Sequence, residues 1–324
     1  MFVLRARPKN GSPHAGLHRP PVDACGLSHE AIRIMKRIPI WLLFGALSLA
    51  ACTSRPAADT ETIYVSIPPL KSLVEAIVGD DYPVEVLVPA GASPETFEPT
   101  PRQYVAVNRA RRLFQIGLID FERNLVARIA DPAKVVDLGA ASGVELLTGS
   151  CSHGHGNPHD GHAYAHGVDP HLWSSPRALR GMAAAIYAAI HADHPDSVRY
   201  TRNHERLQQA LAELDARTAE RIARSGIRTV FVYHPALSYY ARDYGLEQIA
   251  VEQEGKEPSA RHLAQLIRRA RAEAVDRILY QVQFPRSSVE AIAADIGAEA
   301  VTFDPLAEDA IGNIDRITAL ITKP

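Results

Sequence analysis

Four residues whose side chains bind divalent metals stand at the ends of predicted strands. His234 and Asp304 each directly follow a short run of β-branched and aromatic residues, and Glu95 and His171 stand in loops after two earlier runs. Because ligands of open α/β sheets bind outside the carboxyl ends of the strands, we expect these four side chains to meet. Two imidazoles and two carboxylates suit a divalent first-row ion such as Zn²⁺ or Mn²⁺. The pattern therefore predicts a metal site.

Each of the four residues also has an ordinary structural alternative. A histidine at a strand end, such as His234, is often a hydrogen-bonding group. Asp304 stands before Pro305, where an aspartate commonly forms a turn or a helix cap. Glu95 is by default a solvated loop acid, and only His171 is favoured as a ligand by its own neighbours. The shared position of the four residues predicts the site better than any one of them does.

A histidine-rich run precedes His171. It lies in a predicted loop of about thirty residues, from 139 to 169, whose second half has almost no apolar residue and cannot form a core. The run, in the segment 151–168, is either an exposed accessory collector of zinc or a solvated insert that binds metal incidentally. Its histidines are His153, His155, His159, His162 and His166.

The rest of the chain alternates short apolar runs with helical patterns, and does so twice. Strands are predicted at 62–67, 84–88, 113–117 and 135–138, and again at 229–233, 247–252, 277–282 and 300–303. Between the two series, residues 196–225 carry one helical apolar stripe about 45 Å long. The fold class is therefore α/β: two doubly wound lobes (62–195 and 226–324), each with a mainly parallel sheet, joined by one long rigid helix.

Three local features of this pattern give separate predictions. Pro68-Pro69 is expected to end the first strand, so that a helix covers 70–78. Asp120 is expected to cap a helix that runs to Ile129. The segment 139–169 is expected to be loop throughout.

The N-terminal segment is typical of a processed lipoprotein. A short basic region at Met35 to Arg37 precedes an apolar run of about ten residues, too short to span a bilayer. Leu49-Ala50-Ala51-Cys52 then resembles a lipobox, which predicts lipidation at Cys52. The alternatives are an ordinary secretory signal or an anchor helix. We expect Met35 to be the true start, residues 1–51 to be absent from the mature chain, and residues 52–61 to form a lipidated tether.

Composition limits the possible functions. The chain of 324 residues is 46% hydrophobic and 22% charged, with a net charge of −2, which is typical of a globular protein of two ordinary domains. With 6% aromatic residues and no basic face, nucleic acid is not an expected partner. Cys25 would be removed and Cys52 acylated, so Cys151 has no disulfide partner.

Several motifs, taken in order, resemble the metal-binding lipoproteins and periplasmic proteins of ABC importers for zinc and manganese. The resemblance covers Thr62 to the C-terminus. The motifs are Pro89-Ala90-Gly91-Ala92-Ser93-Pro94-Glu95-Thr96-Phe97-Glu98-Pro99, Asp169-Pro170-His171-Leu172-Trp173, Tyr233-His234-Pro235-Ala236 with Tyr239-Tyr240, and Asp304-Pro305-Leu306. Glu257-Pro258-Ser259 and Gln283 also resemble the family's sequences.

The resemblance implies a metal held between two lobes by Glu95, His171, His234 and Asp304. It implies ABC permease and ATPase partners, a monomer in the periplasm or on the cell surface held by its lipid, and no enzymatic step. The histidine-rich loop is typical of the zinc-specific members, so Zn²⁺ is the expected cargo.

Glu95 departs from the family, which usually has a histidine at that position. A glutamate ligand shifts preference toward Mn²⁺ or Fe²⁺, which are the alternative cargoes. Alternatively, Glu95 does not bind the metal itself but lies behind the ligands, and water or a loop histidine binds the metal in its place. Two other classes of function are a zinc-dependent hydrolase, for which the His-Glu-x-x-His motif is missing from the sequence, and a surface adhesin or zinc store.

Overall fold

Two four-stranded parallel sheets organise the protein. The computed structural model describes residues 61–148, 167–252 and 258–323, which belong to one compact unit, Ala58–Pro324. The first sheet has the order β2-β1-β3-β4 and the second the order β6-β5-β7-β8. The strands are β1 (Ile63–Val65), β2 (Val84–Val86), β3 (Arg112–Gln115), β4 (Val135–Asp137), β5 (Thr229–Val232), β6 (Glu247–Ala250), β7 (Arg277–Gln281) and β8 (Glu299–Phe303).

Helices connect the strands, as parallel pairing requires. They are α1 (Pro68–Val78), α2 (Pro101–Arg109), α3 (Asp120–Val126), α4 (Leu138–Ala141), α5 (Pro176–Asp193), α6 (Val198–Ser225), α7 (Ser238–Tyr244), α8 (Ala260–Ala272), α9 (Arg286–Ile296) and α10 (Ala310–Thr322). Short 3₁₀ turns cover Gly79–Asp81, Pro132–Lys134 and Leu172–Ser174. The predicted fold class, two lobes of parallel α/β structure, is confirmed.

Helix α6 joins the two sheets. It has 28 residues, and so is about 42 Å long at 1.5 Å per residue. The Ser197 side chain accepts from the Tyr200 N–H at its start, and Gly226 ends it in the left-handed conformation. Its buried stripe, including Leu207, Leu211 and Ile222, packs against α1, α5 and α10.

One hydrophobic core runs through both lobes. It includes Ile63 and Phe114 of the first sheet, Leu211 of α6, and Tyr239 and Tyr240 of α7, all buried. A second cluster lies around the second sheet alone. Because the lobes share a core, moving one away from the other would expose apolar surface to water.

Three local predictions were wrong, each at the start of a helix. The two prolines Pro68 and Pro69 begin helix α1, because a proline at the first helical positions gives up no hydrogen bond. Asp120 is the first residue of α3 and not its cap; the N–H groups of Ile116, Gly117 and Ile119 donate to the Glu122 carboxylate instead, and α3 ends at Val126.

The third wrong prediction concerns the segment after β4. It is not loop throughout, because Asp137 accepts from the Ala140 N–H and starts the short helix α4. Within the described residues, no helix is both long and apolar enough to cross a bilayer. Met35, Cys52 and the five histidines from His153 to His166 lie outside the described residues, so the predictions made for them stay predictions.

Candidate metal-binding site

Three of the four predicted ligands meet at one point. One ligand atom each from Glu95, His171 and His234 lies within 4.8 Å of the other two. The His234 Nε2 is 3.0 Å from the Glu95 Oε1 and 3.3 Å from the His171 Nε2. With metal–ligand bonds of about 2.0–2.1 Å, two ligands of a tetrahedral Zn²⁺ stand about 3.3 Å apart. The His234 Nε2 is therefore spaced from each of the other two atoms as neighbouring ligands of a zinc site are.

Backbone turns place these side chains. His234 follows β5 in a turn closed by the Ala236 N–H, which donates to the His234 carbonyl at 2.8 Å. His171 precedes the 3₁₀ turn Leu172–Ser174, and Glu95 lies in the loop between β2 and α2, where its N–H donates to the Ser93 Oγ. Both histidines are buried, whereas Glu95 is half-buried.

A buried carboxylate backs each imidazole. The Asp169 Oδ1 is 2.8 Å from the His171 Nδ1, and the Glu252 Oε2 is 3.2 Å from the His234 Nδ1. An Nδ1–H that donates to a carboxylate leaves the Nε2 lone pair free for a metal, and it makes that nitrogen more basic. Both rings therefore present Nε2 to the same point.

The electrostatics of the site favour a cation at that point. Burial lowers the pKa of His234, but its hydrogen bonds to Glu252 and Glu95 outweigh this and raise that pKa to about 9. Burial raises the pKa of Asp169, yet the neighbouring His171 outweighs it and holds that pKa well below its ordinary value. In the metal-free protein a proton on His234 Nε2 occupies the place where a metal ion would balance the same carboxylates.

Asp304 is not a member of this group. Its Oδ1 accepts from the Leu306 N–H at 2.9 Å and from the Gln283 Nε2 at 3.3 Å. It therefore makes the turn that an aspartate before a proline commonly makes. Its role as a ligand stays a prediction.

The cluster borders a cavity of about 30 Å³ with partly aromatic walls. Phe284 stacks on the His234 ring with the centroids 5.6 Å apart, and the Trp173 ring is 5.1 Å from that of His171. The Trp173 Nε1 donates to the carbonyl of Pro305 at 3.0 Å, which ties the two lobes together beside the site. The apolar walls strengthen every charge interaction inside.

Three residues of the site were not predicted. Asp169 lies two positions before His171, within the motif quoted above. Glu252 follows β6 and Gln281 ends β7, so the rule that placed His234 puts both at the same edge of the sheet, but it does not say which residues they contact.

The protein has two lobes of parallel sheet that share a long helix, and a histidine–carboxylate cluster lies where the lobes meet. These features define a two-lobed binding protein with a candidate metal site. The family model described as ZnuA, the periplasmic component A of the zinc-uptake complex, matches residues 63–320. The chain belongs to this family.

Known proteins of this family resemble the chain along most of its length. The zinc-binding lipoprotein AdcA of Streptococcus pneumoniae is 26% identical over 278 residues, covering 84% of this chain and 56% of AdcA, so the chain spans about half the length of that relative. A crystal structure of ZnuA superposes with a TM-score of 0.72 at 35% identity, covering 81% of this chain and 98% of that one.

A third similar structure contains a different metal ion. The protein FpvC of Pseudomonas aeruginosa, solved in complex with Mn²⁺, has a TM-score of 0.65 at 25% identity and covers 81% of this chain and 98% of its own.

Proposed function

We propose that this protein captures Zn²⁺ between its two lobes and delivers it to an ABC-type importer. The observation that carries the proposal is the spacing of the His234 Nε2 from the His171 Nε2 and from the Glu95 Oε1, which fits that between neighbouring ligands of a zinc tetrahedron. Membership of the family supports the same cargo, and so does the zinc binding for which the relative AdcA is named. The protein would carry out no chemical step.

The expected partners follow from this function. They are a permease and an ATPase subunit in the membrane, and the lipid at Cys52 would hold the protein beside them in the periplasm or on the cell surface. The lobes 62–195 and 226–324 would hold the ion between them, and the linking helix would join them. Deleting residues 151–166 would weaken zinc uptake when zinc is scarce and leave the site between the lobes occupied; loss of tight binding on deletion would contradict a merely accessory loop.

Mn²⁺ is the second candidate cargo, and Glu95 is the observation that favours it. A carboxylate in place of an imidazole makes the ligand set harder, and hard ligands suit manganese better than zinc. The fold of FpvC, solved with Mn²⁺, accepts that ion.

The deciding experiment measures metal content and affinity. Protein purified without added metal is analysed for bound metals, and Zn²⁺ and Mn²⁺ are then titrated against a competing chelator. His171→Gln and His234→Gln should each lose tight zinc binding, because each removes one imidazole ligand. Wild-type affinity in both variants would place the metal elsewhere and end the proposal.

A further inference from the structure

Gln281 has a buried side-chain oxygen, Oε1, whose position beside the site the three ligands do not explain. It is the last residue of β7, only 2% exposed, and its side chain lines the same cavity as His171 and His234. The Gln281 Nε2 donates to the His234 carbonyl oxygen at 2.9 Å. A carbonyl oxygen can only accept, so this bond fixes which way the amide faces.

The other end of that amide has no partner. Among the described residues, none donates a hydrogen bond to the buried Gln281 Oε1. Leaving a buried amide oxygen unpaired costs about 1–3 kcal/mol, so such an atom calls for an explanation. Gln283, two residues later in the same cavity wall, likewise donates through its Nε2, to the Asp304 Oδ1. A bound ligand of the site would account for the unpaired Oε1 of Gln281.

The chemistry of the site limits what that ligand can be. The partner of Oε1 must be a donor, and it must fit beside an ion held by Glu95, His171 and His234. Zn²⁺ with three protein ligands takes a water at its fourth position. The cation polarises that water and makes it a strong donor. The cavity of about 30 Å³ has room for the ion and one water, because about 10–15 Å³ is enough for a single water.

We propose that Gln281 holds, through Oε1, the water molecule that completes the coordination of the cargo ion. This inference rests on the proposed function. A neutral amide accepts the hydrogen bond without adding charge, whereas another carboxylate would add to those of Glu95, Glu252 and Asp169. Gln281 is thus a positioning residue that acts on the ion through water, and one coordination position stays exchangeable.

The first test is the crystal structure of the zinc-loaded full chain. We expect a water bound to the zinc and about 2.7–3.0 Å from the Gln281 Oε1. Zinc held by four protein ligands without water, including one in which Asp304 takes the fourth position, would overturn the inference. So would Gln281 bound to the zinc directly. A chain that binds no zinc at His171 and His234 would end the proposed function as well.

The second test separates the acceptor from the donor of the amide. Gln281→Leu loses both groups and should weaken zinc binding about 10-fold or more, as changes to residues behind metal ligands do. Gln281→Glu loses the bond to the His234 carbonyl but keeps an acceptor, and it should bind zinc within a few-fold of wild type. Equal losses in both variants would mean that the amide only anchors His234, and would overturn the proposal.

A matched control and a folding check complete this test. Gln265→Leu makes the same substitution on the exposed face of α8 and should leave zinc affinity unchanged. Thermal unfolding of each metal-free variant shows whether it is folded. If Gln281→Leu does not fold, the zinc-loaded wild-type structure still decides.

Discussion

Asp169 holds His171 through two hydrogen bonds to a single oxygen. Its Oδ1 accepts from the His171 backbone N–H at 2.9 Å and stands 2.8 Å from the His171 Nδ1. Asp169 is fully buried, and the Tyr239 hydroxyl donates to its carbonyl oxygen at 2.7 Å. The orientation of the His171 ring is therefore set by a residue of its own turn, which a tyrosine of the other lobe holds in place.

Asp169→Asn should weaken zinc binding about 10- to 100-fold, because the ring loses both its orientation and part of its basicity. Competition with a zinc chelator measures the change. Asp80→Asn, on an exposed turn, is the matched control. Unchanged affinity in Asp169→Asn would mean that the ring is held by other contacts.

Glu95→His should raise the preference for Zn²⁺ over Mn²⁺, because an imidazole is a softer ligand than a carboxylate. Titrating both metals against one chelator gives the ratio of affinities. Glu98→His makes the same change at an exposed position of the same loop and should leave the ratio at the wild-type value. A ratio that Glu95→His does not alter would place Glu95 behind the ligands.

The sequence alone predicts the sheet edge at which the site lies, because parallel strands exit on one side. That rule placed His234, and it brought Glu95 and His171 to the same point. It could not predict that the Asp304 Oδ1 would accept from the Leu306 N–H, since an edge does not determine where a side chain points. An exit loop therefore identifies candidate ligands, and local hydrogen bonds set the orientation of each side chain.

The residues that support the ligands are harder to find from sequence. Glu252 is 18 positions from His234, and Gln281 is 47 positions from it. Such contacts depend on the register of neighbouring strands, which hydrophobic periodicity does not determine to the residue. The errors at Pro68 and Asp120 have a local cause, because Pro68 takes the first helical position and Glu122, not Asp120, accepts from the N–H groups before α3.

Zinc binding should leave the overall dimensions of the protein nearly unchanged, because one core runs through both lobes and α6. Small-angle scattering curves of the metal-free and zinc-loaded protein should superpose. A marked decrease in the radius of gyration on adding zinc would show a domain closure that this core does not allow.

The shared core also predicts that the two lobes unfold together. Leu211→Ala, in the fully buried middle of α6, should lower the free energy of unfolding by about 2–5 kcal/mol. Val198→Ala, at the exposed start of the same helix, should have little effect. Denaturation followed by fluorescence and by circular dichroism should give one transition in each variant; two separate transitions would mean that the lobes are independent.

The stability of the metal-free protein should fall as the pH rises from about 6.5 to 9. Hydrogen bonds to Glu252 and Glu95 raise the pKa of His234 from 6.5 to about 9, so the folded protein binds more protons than the unfolded chain in this window. Stability therefore decreases with pH there, by about 3 kcal/mol in all, and this contribution is fully present below pH 6.5. Urea unfolding of metal-free wild type and His234→Gln at several pH values measures it. The variant should lack the decrease above pH 7, and an equal slope in both proteins would show that another group is responsible.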